Sequence, residues 1–196
     1  LATGVVDLRP AISGVAESLR RGLLRQCPIC DAYEAIDRRI VVIGDDEHAA
    51  REALFLKRFT SCLAIVPVGC LTFDASIRER LQRERIDLFD QSVRGIQIED
   101  EQTMRLVLAD GRGVDADVVY LALGIDPRID LAIQLGVKLT PDGRILASSH
   151  QETSLPGCYV AGDVVTGLNQ IGVAMGQAEV AAVAIHNALR SGNELL

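Results

Sequence analysis

Arg39-Ile40-Val41-Val42-Ile43-Gly44-Asp45-Asp46-Glu47-His48-Ala49 is the stretch on which the fold turns. Its first half is an unbroken apolar run ending in Gly, which suits a strand buried on both faces. From Glu47 to Phe59, Ala49, Ala50, Ala53, Leu54 and Leu56 recur at helical spacing. Cys62 to Val66 is a second apolar strand. A β-α-β unit of this kind requires a parallel sheet, so the chain is α/β.

Outward from that unit, Asp74 to Arg85 reads as a capped helix and Ile86 to Phe89 as a further strand. The runs Gly95-Ile96-Gln97-Ile98-Glu99, Met104 to Leu108 and Val114 to Leu123 flank Asp110-Gly111, a hairpin signal. Gly124-Ile125-Asp126-Pro127 breaks the chain, and short strands are predicted at Arg144 to Ala147 and Cys158 to Val160. An Ala-rich helix is expected over Gln170 to Leu189. Leu1 to Val6 reads as a strand in mid-flow; with Leu as the first residue, this points to the later part of a longer protein.

The chain has 196 residues, 48% of them hydrophobic, enough for one large or two small domains. A net charge of −7 argues against a nucleic-acid partner. No apolar run approaches the roughly 20 residues of a membrane span, and the cytoplasm is the expected compartment.

Cys27-Pro28-Ile29-Cys30-Asp31 carries the chemistry. Two intervening residues let the thiols close into a reversible disulfide, and this spacing commonly lowers one thiol pKa. A neighbouring carboxylate can shuttle the proton that thiol–disulfide exchange moves. The competing reading is half a zinc site. Zinc needs four ligands, no second pair follows, and His48, His150 and His186 are scattered, so no metal is expected. Cys62 and Cys158 read as core residues and Cys70 as a loop residue; Met104 and Met175 read as packing, and His186 as solvent-facing.

The Gly44 loop stands where a dinucleotide fingerprint belongs, which makes Gly44, His48 and Ala49 candidate contacts for NADP. Asp45, Asp46 and Glu47 oppose a diphosphate there. Val66-Pro67-Val68-Gly69 ends the next strand with neither an acid for a ribose nor Arg for a 2′-phosphate. Ala161-Gly162-Asp163 places a carboxylate at a sheet edge, able to accept from polyol hydroxyls. Asn169-Gln170-Ile171 then opens a helix whose N–H groups suit negative charge.

The ordered series Ala2-Thr3-Gly4, Cys27 to Asp31, Val42-Ile43-Gly44, Ala122-Leu123-Gly124-Ile125-Asp126-Pro127 and Ala161-Gly162-Asp163 resembles the thioredoxin-reductase branch of the flavin-dependent disulfide oxidoreductases. The resemblance implies a Rossmann-like nucleotide-binding domain inserted in a second, incomplete FAD-binding α/β domain. Residues 1–8 would end the first FAD segment and 9–23 would be a linker. Residues 24–120 would be the pyridine-nucleotide domain with the cysteine pair, and 121–196 the second FAD segment. Cys30 would face the flavin, Cys27 would exchange with the substrate, and Asp31 would be the acid–base residue. Thr3, Gly4, Gly124, Gly162, Asp163, Asn169, Gln170 and Ile171 would contact FAD. The strand–glycine-loop–helix that grips the FAD diphosphate in this branch does not occur in these residues, so the fragment alone is expected to purify without flavin.

The resemblance also implies a homodimer and, as partner, a thioredoxin-like protein or a small disulfide or dithiol. Pro67-Val68-Gly69 departs from the His-Arg-Arg series of NADPH-using relatives and sets NADPH apart as the doubtful cofactor. Two other readings stand beside the reductase: an oxygen-dependent dithiol oxidase, and a non-catalytic α/β remnant with a decayed nucleotide pocket.

Overall fold

The computed structural model describes residues 1–193 and divides them into two compact units. The larger runs from Asp7 to Gly124; the smaller joins Leu1–Val6 to the chain after Ile125. Residues 9–23, read as a linker, are part of the larger unit. The first strand, β1, covers only Val5–Asp7, because Gly4 adopts a left-handed φ of 69° and ends the extended run before it.

In the larger unit the elements follow as α1 (Val15–Arg20), β2 (Leu24–Arg25), α2 (Pro28–Asp31), a 3₁₀ turn at Ala32–Ala35, β3 (Ile40–Ile43), α3 (Glu47–Leu56), β4 (Leu63–Val66), α4 (Ala75–Arg83) and β5 (Asp87–Leu88). Next come β6 (Val93–Ile98), β7 (Met104–Leu108), β8 (Gly113–Ala116) and β9 (Val118–Leu121). Strands β2, β9, β3, β4 and β5 lie side by side in that order, all parallel. Strands β6, β7 and β8 form an antiparallel sheet, with Asp110-Gly111 between the last two.

The alternation of side chains along a strand sorts the core into two layers. Ile40, Val42, Leu63, Ile65, Val118 and Tyr120 pack with Ala49, Ala50, Ala53 and Leu56 of α3. Val41, Ile43, Ala64, Val66, Val119 and Leu121 pack with Met104, Leu106, Leu108 and Ala116 of the antiparallel sheet. The parallel sheet is therefore covered on both faces, which is why its strands read as continuous apolar runs. Each large side chain so buried contributes on the order of 2 kcal/mol.

Gly44 sits where β3 hands over to α3, and a Cβ there would lie 2.6 Å from the Ala49 Cβ and 2.7 Å from the Ala122 carbonyl oxygen. Helix and sheet backbones meet at this point. Gly44→Ala should cost about 1–3 kcal/mol, read as a lowered urea midpoint; an unchanged midpoint would show that the helix can withdraw freely.

The smaller unit contains β10 (Ile125–Pro127), α5 (Asp130–Leu135) and α6 (Ile171–Asn193). The sequence places a break at 125–127; instead β10 pairs with β1, a two-stranded arrangement in which the missing N–H of Pro127 leaves no central ladder incomplete. The strands predicted at Arg144 to Ala147 and Cys158 to Val160 reduce to isolated bridges, Ile145 with Leu139 and Val165, and Tyr159 with Glu152. The predicted run Val114 to Leu123 is split at Asp117, whose carboxylate accepts from the Arg39 guanidinium at 2.5 and 3.0 Å.

Cys62 is exposed rather than core, because it lies just before the first residue of β4, where the chain enters the sheet, and Cys158 is half-buried. Met104 is fully buried, but Met175 is exposed on α6. Among the described residues no helix is long and apolar enough to cross a membrane, and no cluster of His, Cys, Asp and Glu could hold a metal ion.

Candidate active site

β2 ends at Arg25 and the chain turns through Gln26 to Cys27, the extended residue that precedes α2. Pro28 occupies the first helical position, where its missing N–H costs nothing and its fixed φ favours the turn. The Cys30 N–H donates to the Cys27 carbonyl at 2.9 Å, so one turn of helix brings the two thiols together. They form a disulfide, with Cα atoms 5.3 Å apart. Cys30 is exposed and Cys27 half-buried. Ile29 and Tyr33 project beside them, 69% and 78% exposed.

Asp31 ends that turn, and its surroundings come from the sheet. Arg25 and Tyr120 are register partners across the parallel β2–β9 pair, so their side chains leave the same face. The Tyr120 hydroxyl donates to Asp31 Oδ1 at 2.6 Å. Arg25 Nη1 donates to the Asp31 carbonyl at 3.0 Å, and lies 3.8 Å from Asp31 Oδ1 and 3.2 Å from Glu34 Oε2. Burial, and then the hydrogen bond to Asp31, push the Tyr120 phenol above its ordinary range, so it stays a donor. The sequence reading passed over Tyr120 and Arg25. The available signal was a lone phenol in an aliphatic strand, since a buried Tyr usually finds a hydrogen-bond partner.

Gly44 lies in the loop after β3, and His48 and Ala49 in the first turn of α3, but the carboxylates of this loop face their own backbone. Asp46 caps α3, with Oδ1 accepting from the N–H groups of His48 and Ala49 at 3.0 and 3.3 Å. Asp45 Oδ1 accepts from the N–H groups of Val68 and Gly69 at 2.6 and 3.2 Å. The Thr72 N–H and hydroxyl both donate to the Asp45 carbonyl. A dinucleotide would need these donors for its phosphates. The protein's own carboxylates already occupy them, so the residues present do not fit NADPH.

His48 Nε2 lies 3.1 Å from Glu52 Oε1. The hydrogen bond to Glu52 raises the imidazole pKa above its ordinary 6.5, outweighing the opposing effect of burial. A raised folded-state pKa contributes stability that is complete below about pH 6.5 and is lost as pH rises through the folded value. Glu52→Gln should return the His48 midpoint, followed by NMR of the ring protons, towards the ordinary value. A midpoint that does not move would show that Glu52 does not hold the proton on His48.

In the smaller unit the candidate flavin contacts gather around the Gly162–Ile171 loop. Gly162 has φ of 86° and its N–H donates to Gln177 Oε1 at 2.8 Å. Arg144 Nη1 donates to the carbonyls of Asp163 and Val165 and to Asn169 Oδ1, at 2.9, 3.1 and 2.7 Å. One guanidinium thus fixes both ends of the loop. No hydrogen bond to the Asp163 carboxylate is found among the described residues. The Gln170 carbonyl accepts from Ala174 N–H at the start of α6, and Ile171 is 81% exposed. Thr3 Oγ1 donates to the Arg128 carbonyl at 2.6 Å, and Gly4 takes a left-handed conformation with open space where a Cβ would stand, as does Gly124, the last residue of the larger unit. An unused carboxylate, loop amides and glycines bordering open space fit the ribityl and ring side of a flavin.

Residues 1–178 match the family model of the pyridine nucleotide-disulphide oxidoreductases. The thioredoxin reductase of Aquifex aeolicus is 29% identical over 177 residues, which cover 84% of this chain and 53% of that protein. The thioredoxin reductase of Listeria innocua is 26% identical over 200 residues, covering 92% of this chain and 59% of the relative. Among solved structures, HlmI gives a TM-score of 0.89 at 29% identity, over 99% of this chain and 60% of its own. The thioredoxin reductase of Streptococcus pyogenes gives 0.85 at 25% identity, over 97% of this chain and 64% of its own. The chain therefore spans little more than half the length of these curated relatives. With matched residues that reach into both units and take in the cysteine pair, the chain belongs to the pyridine nucleotide-disulphide oxidoreductase family.

Proposed function

We propose that the protein is a flavin-dependent thiol–disulfide oxidoreductase of thioredoxin-reductase type, passing electrons between FAD, the Cys27–Cys30 pair and an external disulfide or dithiol. The observation that carries this reading is the disulfide closed over one turn of helix with Asp31 directly behind it. The thioredoxin reductases of Aquifex aeolicus and Listeria innocua, which match most of the chain, support the same reading. The external partner is a thioredoxin-like protein or a small disulfide, and the active form is a homodimer.

Each residue has a part in the exchange. Cys27 attacks or is attacked by the external sulfur, Cys30 closes or opens the intrachain bond, and Asp31 carries the proton between thiol and leaving thiolate. Asp163, Asn169, Gln170 and Ile171, with Thr3, Gly4, Gly124 and Gly162 lending backbone, would hold FAD on its ribityl and ring side. When bound, the flavin supplies the two-electron couple that a dithiol needs. Arg144 keeps their loop in one conformation.

The bonds from Asp45 and Asp46 to their own backbone favour a second reading within the same chemistry. On that reading NADPH is not the reductant. The pair oxidises a dithiol, and two electrons and two protons pass on to oxygen.

The first test is the potential of the pair, titrated in glutathione or dithiothreitol buffers and read by alkylation and mass. A value of about −200 to −300 mV is expected, the range of cytosolic dithiol enzymes. A pair that stays reduced in oxidised glutathione, or that co-purifies with stoichiometric zinc, would sink the redox assignment.

A further inference from the structure

We propose that Tyr120 is a positioning residue for the redox pair, its hydroxyl holding the Asp31 carboxylate in the orientation that receives the thiol proton. The inference rests on the thiol–disulfide reading above and adds a residue to it.

The geometry singles out this tyrosine. Its ring is fully buried in the α3-side layer, in a strand otherwise made of Val118, Val119 and Leu121. Only its hydroxyl reaches a polar group, and that group is Asp31 Oδ1 at 2.6 Å. The ring is confined by its full burial, and its backbone by the pairing of β9 on both sides, with β2 and β3. A rigid donor therefore fixes one carboxylate oxygen of a side chain that is itself 29% exposed.

The charged groups facing Asp31 are few. Arg25 approaches from β2 and Glu34, bound to that same Arg25, from the 3₁₀ turn. Ala32 and Ala35 of this turn share an apolar cluster with Ala49, Ala50, Ala53 and Leu56 of α3, while His48 and Glu52 of α3 pair with each other. Tyr120 supplies the one neutral, fixed donor among these contacts.

In the exchange step, the Cys27 thiol gives its proton to Asp31 and its sulfur attacks an external disulfide. A mixed disulfide forms and one thiolate leaves, taking the proton from Asp31. Cys30 then closes on Cys27 and releases the second thiol. Two electrons and two protons have moved from the pair to the external disulfide. A base assists only while the thiol is protonated; a free cysteine ionises unaided near pH 8.5. Positioning of that base should therefore matter at low pH and cease to matter at high pH.

The test follows closure of the reduced 196-residue chain by excess oxidised glutathione, by alkylation and mass, from about pH 5 to about pH 9. Tyr120→Phe keeps the ring and removes the donor. It should close about tenfold more slowly than wild type near pH 6 and within about twofold near pH 9. Asp31→Asn should lose about a hundredfold near pH 6, the lower end of what a positioned acid–base group supplies. The double variant should be no slower than Asp31→Asn alone, since coupled residues do not add.

A Tyr120→Phe rate that differs from wild type by one constant factor at every pH would overturn the proposal, as would full additivity in the double variant. An Asp31→Asn variant as fast as wild type would instead remove Asp31 from the chemistry, a separate failure of the reading beneath. Thermal unfolding of each variant checks that the fold is kept.

Discussion

Cys30→Ser is expected to abolish closure of the intrachain disulfide and to reduce substrate turnover by at least about 10³-fold in the flavin-loaded protein. The two sulfurs work in sequence, and removing either member of a catalytic unit forfeits nearly the whole effect. Cys27 remains in the variant, half-buried at the entry to α2 and still able to form a mixed disulfide with glutathione. The expected product in oxidised glutathione is therefore a stable adduct on Cys27, detected by intact mass. Wild type should pass through that species without accumulating it. Of the other cysteines of the larger unit, Cys62 precedes β4 and Cys70 lies beyond it, both outside the α2 turn. Turnover within tenfold of wild type in Cys30→Ser would remove the pair from the mechanism.

NADPH should bind this chain with a dissociation constant weaker than roughly 10 μM, about −7 kcal/mol. The reason is competition for donors. The N–H groups at the start of α3 already satisfy Asp46, and those of Val68 and Gly69 already satisfy Asp45. A diphosphate would have to displace these carboxylates and then tolerate them nearby. Even at an effective dielectric near 20, a close like-charge pair costs a few kcal/mol. The double change Asp46→Gly and Val68→Arg opens one set of donors and adds a guanidinium where a 2′-phosphate would lie. Replacing a cap by Gly costs only a few tenths of a kcal/mol, so the helix should persist. Calorimetry with NADPH and NADH should then show NADPH tightened at least about tenfold and NADH much less. A dissociation constant below roughly 10 μM for NADPH on the unaltered chain would restore an ordinary nucleotide-fed reductase.

The parallel sheet was legible because burial on both faces leaves a plain trace, the apolar runs of β3 and β4 around an Ala-rich helix. The cysteine pair was legible for a similar reason, since its geometry is set within four residues. Interactions that depend on pairing were not. Asp45 reads as a repulsive charge until its partner, 23 positions along, is known. Tyr120 reads as a strand aromatic until β2 and β9 are placed side by side. The expected strands around Ile145 and Tyr159 failed because each pairs through one residue only, Ile145 bridging Leu139 and Val165 and Tyr159 bridging Glu152, with no ladder extending from either.

The larger unit interrupts the smaller in sequence, between Val6 and Ile125. Its two ends meet when it folds, as Leu8 N–H donates to the Gly124 carbonyl at 3.0 Å. For a loop on the order of 100 residues, bringing the ends together costs about 4 kcal/mol of chain entropy. Once the insert has folded, that cost is no longer charged against the pairing of β1 with β10. During synthesis the insert is complete before the rest of the smaller unit exists, so the order of folding is built into the order of the chain. Damage to the insert's core should then be felt first as failure of a segment that shares none of its side chains.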